Sequence, residues 1–356
     1  MTTPPHRIAA VLASCLLVAA ACGSDDVRSD AAQPTSTVRL LTHDSFLLSD
    51  GVLDDFTATT GIEVEVIQGG DAGTVVNQAI LTNGNPQADV LFGIDSTFLT
   101  RALEADLFIP YEAEGLDAVD EALQLDPEHR VTPIDFGDVC LNYDKAYFET
   151  AGVPVPTSLD ALVEPAYRDL LVVENPATSS PGLAFLLATV EAFGEDGWEA
   201  WWTELRANGV QVVDGWEEAY NTVFSGGGAS EGNRPLVVSY ASSPPAEVLY
   251  ADPPIDESPV GVIDASCYRQ VEGAGILRGT DEEDAAGQLI DFLLSETVQA
   301  DVPLSMFVFP ARGDVALPEL FVAHAARPAE VFELPAADID AHREEWIDRW
   351  TDLVLR

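Results

Sequence analysis

Short runs of apolar residues alternate along this chain with stretches in which apolar positions recur every three or four residues. A continuous short apolar run suits a strand buried on both faces, and a three-to-four spacing suits a helix with one buried side. The first half reads as strand Val38 to Thr42, helix Asp50 to Thr59 and strand Ile62 to Ile67, then a helix after the turn Gly69-Gly70-Asp71-Ala72-Gly73, then strand Ala88 to Gly93. The second half repeats the alternation: strand Leu170 to Glu174, helix Pro181 to Phe193, strand Val210 to Val213, helix Trp216 to Phe224 and strand Leu236 to Tyr240. Asp281 to Leu294 predicts an amphipathic helix, and Ala341 to Leu355 a closing helix with Trp346 and Trp350 one turn apart. Such a succession predicts an α/β fold with mostly parallel strands.

Two extended segments, Thr132 to Tyr143 and Asp264 to Glu272, break the alternation and suit strands that cross side by side between two lobes. One discontinuous lobe is then expected at 38–134 plus 270–356 and a second at 135–269. The N-terminal region has a different character. Arg7 precedes an apolar run from Ile8 to Ala21, fourteen residues against the roughly 20 that a spanning helix needs. That pattern predicts a secretory signal peptide over 1–21. Small residues lead into Cys22, the expected lipidation site, and a polar stretch over 22–37 is expected to form a tether. Leu12-Ala13-Ser14-Cys15 also fits a lipidation motif, but it leaves too short an apolar segment before it.

Two cysteines remain, Cys140 and Cys267, both in apolar strand-like runs on the two crossing segments. Outside the cytoplasm oxidising conditions favour a disulfide between them, and two buried free thiols are the other arrangement these residues allow.

Charge narrows the ligand class. Lys and Arg number 16 against 61 Asp and Glu, a formal charge of -45, and the only lysine is Lys145. Such a field repels nucleic acid and anionic lipid, so no nucleic-acid role is expected and the only membrane contact is through the lipid anchor. A small cation or zwitterion is favoured over a polyanion. The 47% of hydrophobic residues allow a large core.

Enzymatic and metal motifs are absent: there is no Gly-x-Ser-x-Gly, Walker, His-Glu-x-x-His or Cys-x-x-Cys sequence, and the five histidines lack ligand spacing. No catalytic residue, metal or cofactor is expected. What stands out instead is a set of small polar and aromatic residues at the ends of predicted strands, where α/β folds bind ligands. They are His43-Asp44-Ser45-Phe46, Gly69 to Thr74, Ala177-Thr178-Ser179-Ser180-Pro181-Gly182 before a helix, Trp216, Tyr240 with Ala241-Ser242-Ser243-Pro244, and Phe307. Free amides and hydroxyls at a helix start can hold an anionic group, although an ordinary turn and a plain serine cap explain the glycines and serines as well. Trp198, Trp201 and Trp202 stand at helical spacing and read as core. Aromatic faces with carboxylates suit a flat cation.

From Val38 to Arg356 the chain resembles the periplasmic thiamine-binding proteins of ABC importers, which are type II extracellular solute-binding proteins. The resemblance rests on seven runs in one order: His43 to Phe46, Asp89 to Asp95, Asp135-Phe136-Gly137 with Leu141 to Lys145, Thr178 to Leu183, Gly215 to Tyr220, Val238 to Pro244, and Trp346-Ile347. It implies a two-lobe periplasmic-binding-protein fold with a two-strand hinge and a ligand cleft between the lobes. Capture would proceed by lobe closure and delivery to an ABC permease, with the protein a monomer and not an enzyme. The implied ligand-facing residues are His43, Asp44, Ser45, Asp71, Ala72, Gly73, Ser179, Ser180, Trp216, Tyr240, Ser242 and Phe307. Tyr240 and Phe307 would stack on the thiamine rings with His43 nearby, and Trp216, Asp71 with its following amides, and Ser179 or Ser180 would meet the hydroxyethyl or phosphate end. His43 and Phe307 stand where the family pattern has tyrosine and tryptophan. No lysine or arginine lies near the phosphate end, so thiamine is expected to bind at least as well as its diphosphate. Other readings on such a scaffold are a binding protein for another small cation, a polyamine or ferric ion, a ligand-sensing receptor, and a thiaminase I-like enzyme needing Cys140 or Cys267 free in the cleft.

Overall fold

The computed structural model describes residues 36–356 apart from Ala229. The signal segment, Cys22 and all but the end of the expected tether lie outside these residues. The tether was expected to run to Thr37, but a strand already begins at Ser36, paired with Ile62.

Ten strands are described: β1 (Ser36–Thr42), β2 (Ile62–Gln68), β3 (Val90–Asp95), β4 (Phe108–Ile109), β5 (Thr132–Asp144), β6 (Leu171–Glu174), β7 (Gln211–Val213), β8 (Leu236–Tyr240), β9 (Val260–Leu277) and β10 (Phe309–Pro310). The helices are α1 (Val52–Thr60), α2 (Ala72–Leu81), α3 (Leu99–Glu104), α4 (Lys145–Ala151), α5 (Ser180–Phe193), α6 (Trp198–Ala207), α7 (Trp216–Glu218), α8 (Pro244–Leu249), α9 (Glu283–Leu293), α10 (Glu296–Ser305), α11 (Glu319–His324) and α12 (Ala336–Val354). Most fall within two or three residues of the positions expected from the pattern. Trp216 to Phe224 differs, because α7 passes after one turn into a wider π-type turn over Ala219–Val223.

The strands form one sheet, eight of them in the order β2-β1-β3-β9-β5-β8-β6-β7, with the short β4 paired to β9 and β10 to β5. Its two ends are parallel, β1 with β2 and β3, and β6 with β7 and β8. Its centre is antiparallel, since β9 pairs with β3 and β5, and β5 with β8. The expectation of mostly parallel strands is thereby corrected: the two crossing segments are the longest strands of the sheet and run in opposite directions. They pair from Thr132↔Ala274 to Asp144↔Val260, with register shifts at Pro133/Asp135 and Val139/Leu141.

Alternation along each strand sends side chains to opposite layers. Val38, Leu40, Val90, Phe92 and Ile276 pack with Phe56 of α1 and Leu289 and Leu293 of α9. Leu41, Leu91, Ile94 and Leu277 face the other layer, with Val75 and Val76 of α2. All six residues of β3 are buried, as expected for a strand covered on both faces. Trp198, Trp201 and Trp202 are core, as their spacing predicted, and Trp350 of α12 meets Trp202 edge to face at 5.4 Å. Among the described residues no helix is long and apolar enough to cross a membrane.

Candidate functional site

The turns that follow β1, β2, β6, β7 and β8 converge on one cavity, as expected at the C-terminal ends of strands in such a sheet. Its walls include His43, Asp44, Ser45, Asp71, Ala72, Ser180, Trp216, Tyr240 and Phe307, nine of the residues expected from the sequence. About 700 Å³ of empty space lies within it, part of it open to solvent. A wider vestibule continues outward past Ser45, Trp216, Tyr220, Tyr250 and Phe307.

Aromatic rings form one wall, and the polar side-chain atoms of Trp216 and Tyr240 are engaged elsewhere. Trp216 Nε1 donates to Ser239 Oγ (2.9 Å), which lies 2.9 Å from Ser243 Oγ. The Trp216 ring stacks on Tyr220 at 5.1 Å and meets Tyr240 edge-on at 6.5 Å. Tyr240 donates its hydroxyl to Gln270 Oε1 (2.8 Å). Its ring lies over Gly137, where an added Cβ would come within 2.8 Å of Tyr240 Cδ1. Burial, with Glu272 nearby, holds the Tyr240 hydroxyl neutral, its pKa well above the usual value. Phe307 follows α10 with φ 57°, a left-handed backbone that a bulky residue rarely adopts. It touches Tyr250 at 5.9 Å across the vestibule.

Asp71 caps α2 and gathers three chain segments. Its Oδ1 accepts from Ala72 N (2.7 Å) and Ser180 N (3.2 Å), and its Oδ2 accepts from Trp216 N (2.9 Å). Burial raises its pKa although these amides and the Ser179 hydroxyl favour the charged form. The amides at the starts of α5 and α7 are therefore already occupied by a carboxylate of the protein itself. Beside them, α2 presses against the loop before α5. Thr74 N donates to Thr178 O (3.1 Å), and a Cβ on Gly73 would fall 2.8 Å from the Thr178 carbonyl.

The remaining expected residues stand behind the wall. Gly73 makes that close approach. Ser179 caps α5 through Gly182 N (3.4 Å), and Ser242 is fully buried with no hydrogen-bond partner for its hydroxyl among the described residues. Ser243, from the run after Tyr240, lines the cavity too, and sequence reasoning missed Glu272, Tyr220 and Met306, which do so as well. Glu272 ends the segment recognised as a crossing strand, and that position was its only signal.

Glu272 is the acidic centre of the floor. His43 Nε2 lies 3.4 Å from its Oε1, and Gly93 (φ 101°) leaves room for the imidazole, since a Cβ there would meet His43 at 2.6 Å. Burial opposes charge on His43, yet Glu272, Asp71 and Asp44 outweigh it and raise its pKa. Asp95 on β3 and Asp135 on β5 are both in register with Glu272. Burial pushes Asp95 up to about 6, and burial and Glu272 push Asp135 well above the carboxylate range. Among the described residues no lysine or arginine lines the cavity.

Cys140 and Cys267 are disulfide-bonded and buried, at the register shift between β5 and β9 and away from the cavity lining. Among the described residues no group of three or more His, Cys, Asp or Glu side chains is placed to hold a metal.

Comparison with known proteins agrees with this geometry. Residues 85–330 match the family model described as bacterial extracellular solute-binding protein. The chain is 29% identical to the thiamine-binding periplasmic proteins of Salmonella typhimurium, over 91% of this chain and 95% of the relative, and of Escherichia coli, over the same shares. The solved structure of a periplasmic thiamin binding protein superposes with a TM-score of 0.78 at 27% identity, covering 90% of this chain and 96% of that one. Iron-bound HitA from Pseudomonas aeruginosa, at 20% identity and a TM-score of 0.69 over 89% of this chain and 99% of that one, shares the fold. With a two-layered helical cover on a mixed sheet, a cavity at the strand ends and a family match over most of its length, the chain belongs to the bacterial extracellular solute-binding proteins.

Proposed function

We propose that this protein captures thiamine outside the cytoplasm and delivers it to an ABC permease, as a lipid-anchored monomer without catalytic activity. The observation that carries the reading is the combination in one cavity of an aromatic wall, Trp216, Tyr220 and Tyr240, with acidic groups and no basic side chain except His43. A flat cation gains from ring faces, about 0.5–2 kcal/mol each, and from the carboxylates. The relatives' names point to the same ligand. Residues 38–134 plus 270–356 would form one lobe and 135–269 the other, closing about β5 and β9. Phe307 and Tyr250, one from each lobe, would meet at the mouth.

Asp71 bears on the form of thiamine preferred. Its carboxylate fills the amides that a phosphate would use, so a phosphorylated ligand must displace it or be repelled by it. The unphosphorylated vitamin should therefore bind at least as tightly as the diphosphate. Titration of the purified protein with thiamine, followed by tryptophan fluorescence and calorimetry, tests the reading: one-to-one binding with thiamine recovered intact is expected. No response to thiamine or its phosphates would overturn it. Iron and thiaminase readings have less support, since no metal cluster is present among the described residues and both described cysteines are buried in a disulfide.

A further inference from the structure

Three carboxyl groups lie in one row across the centre of the sheet. Glu272 of β9 is paired in register with Asp95 of β3 on one side and with Asp135 of β5 on the other. Like charges facing each other across strands are destabilising, so the row persists only with protons or a counter-charge. Asp95 Oδ1 accepts from the amide and hydroxyl of Thr97 (2.6 Å each), but Asp95 Oδ2 and Asp135 Oδ2 are buried with no hydrogen-bond partner among the described residues. Burial and the neighbouring Glu272 carboxyl hold the Asp135 pKa well above the carboxylate range. Tyr240, from the end of β8, turns its hydroxyl to Gln270 and stays neutral.

Of this row, Glu272 lines the cavity, and the basic group that faces it is His43, at 3.4 Å. Asp71 and Asp44 add negative potential at the same imidazole. With no lysine or arginine in the lining among the described residues, a proton on His43 is the one positive side-chain charge that this lining can offer Glu272.

We propose that Glu272 is the specificity-determining counter-ion of the cavity, for which the His43 proton and the ring cation of the ligand compete, so that binding an organic cation expels a proton to solvent. This rests on the reading of the cavity as a cation site and deepens it. A neutral ligand of the same shape cannot replace the proton and forfeits the exchange. A permanent cation next to His43 lowers the imidazole's affinity for its proton, and by linkage lower pH weakens the cation's binding.

Calorimetry in two buffers of different ionisation enthalpy counts the protons, using thiamine and, as a plain probe, N-methylpyridinium. The expected result near pH 6.5 is release of about half to one proton per cation, with affinity rising about tenfold from pH 5.5 to 8. Glu272→Gln should weaken either cation about thirtyfold or more, and both Glu272→Gln and His43→Asn should abolish the release. Independently of any ligand, NMR titration of the free protein should show the His43 pKa falling by about one unit in Glu272→Gln. Binding of either cation without proton release overturns the proposal, as does an unchanged His43 titration in the variant or failure of both cations to bind. Binding of N-methylpyridinium with release, but not of thiamine, sinks the thiamine reading and leaves the exchange standing.

Discussion

Trp216 has both of its N–H donors engaged within the protein, the backbone amide by Asp71 and Nε1 by Ser239, so its contribution to a ligand is its ring alone. Tyr240 is in the same position, with its hydroxyl held by Gln270. Removing the hydroxyl and removing the ring should therefore have separable effects. Tyr240→Phe is expected to keep thiamine affinity within about threefold, whereas Tyr240→Ala should lower it about 10- to 100-fold, as measured by calorimetry. Asp71 gives the opposite kind of test. Asp71→Ala empties the amides of Ser180 and Trp216, and the ratio of diphosphate to thiamine affinity should move about tenfold or more towards the diphosphate. The same change removes the cap of α2 and should lower stability by about 1 kcal/mol, read from denaturant unfolding. An unchanged ligand ratio in a folded Asp71→Ala protein would show that the carboxylate does not guard the amides.

At the level of elements, α2 and the loop before α5 approach so closely that only hydrogen fits at position 73. Gly73→Ala should push Thr178 away, costing about 1–3 kcal/mol in stability and weakening thiamine binding through the displaced Asp71. Thermal unfolding and calorimetry on the same variant check both. The elements themselves were largely legible, because buried strands such as β3 and amphipathic helices such as α9 carry their periods in local sequence. Strand direction was not. β5 and β9 look locally like any buried strand, and only their pairing over 132–144 and 260–274 makes the centre antiparallel. The site divides the same way. His43, Trp216 and Tyr240 stand out in the sequence as polar or aromatic residues at strand ends, whereas Glu272 is one acid among 61 Asp and Glu and gains its meaning only from His43, Asp95 and Asp135, which the fold brings beside it. Asp71 was read as part of a subsite for an anion. In the structure its carboxylate accepts from the amides of Ser180 and Trp216, and nothing local to Gly69-Gly70-Asp71 shows that two distant amides turn towards it.

For the molecule as a whole, charge and topology set the conditions of stability. A formal charge of -45 repels itself, so added salt should raise the melting temperature at pH 8. Acidification should act in the same direction at first. Asp95, held up at about 6, and Asp135 and Glu174, both raised well above the usual carboxylate range by burial, bind protons more tightly folded than unfolded. Their contribution is complete below the unfolded carboxylate range and is lost as pH rises through the folded values, so stability should increase from pH 8 to about 5.5, read as melting temperature, and Asp95→Asn should flatten part of that rise. Below about pH 4 the sign reverses, as Asp89, whose pKa is lowered because its bonds from Arg39 and Thr280 outweigh burial, takes up a proton and releases them. The disulfide acts on the chain instead of the charge. Replacing Cys140 and Cys267 together with serine should cost about 3–5 kcal/mol in denaturant unfolding. By joining positions 127 residues apart, it also turns everything between them into a closed covalent ring, with α5, Trp216 and Tyr240 inside it and His43, Asp71 and Glu272 outside. A protease that cuts once in the exposed stretch 252–257 therefore opens the ring without producing two molecules. The nicked protein should run as two bands on a reducing gel and one on a non-reducing gel, a form in which the chain survives damage that would sever a linear one.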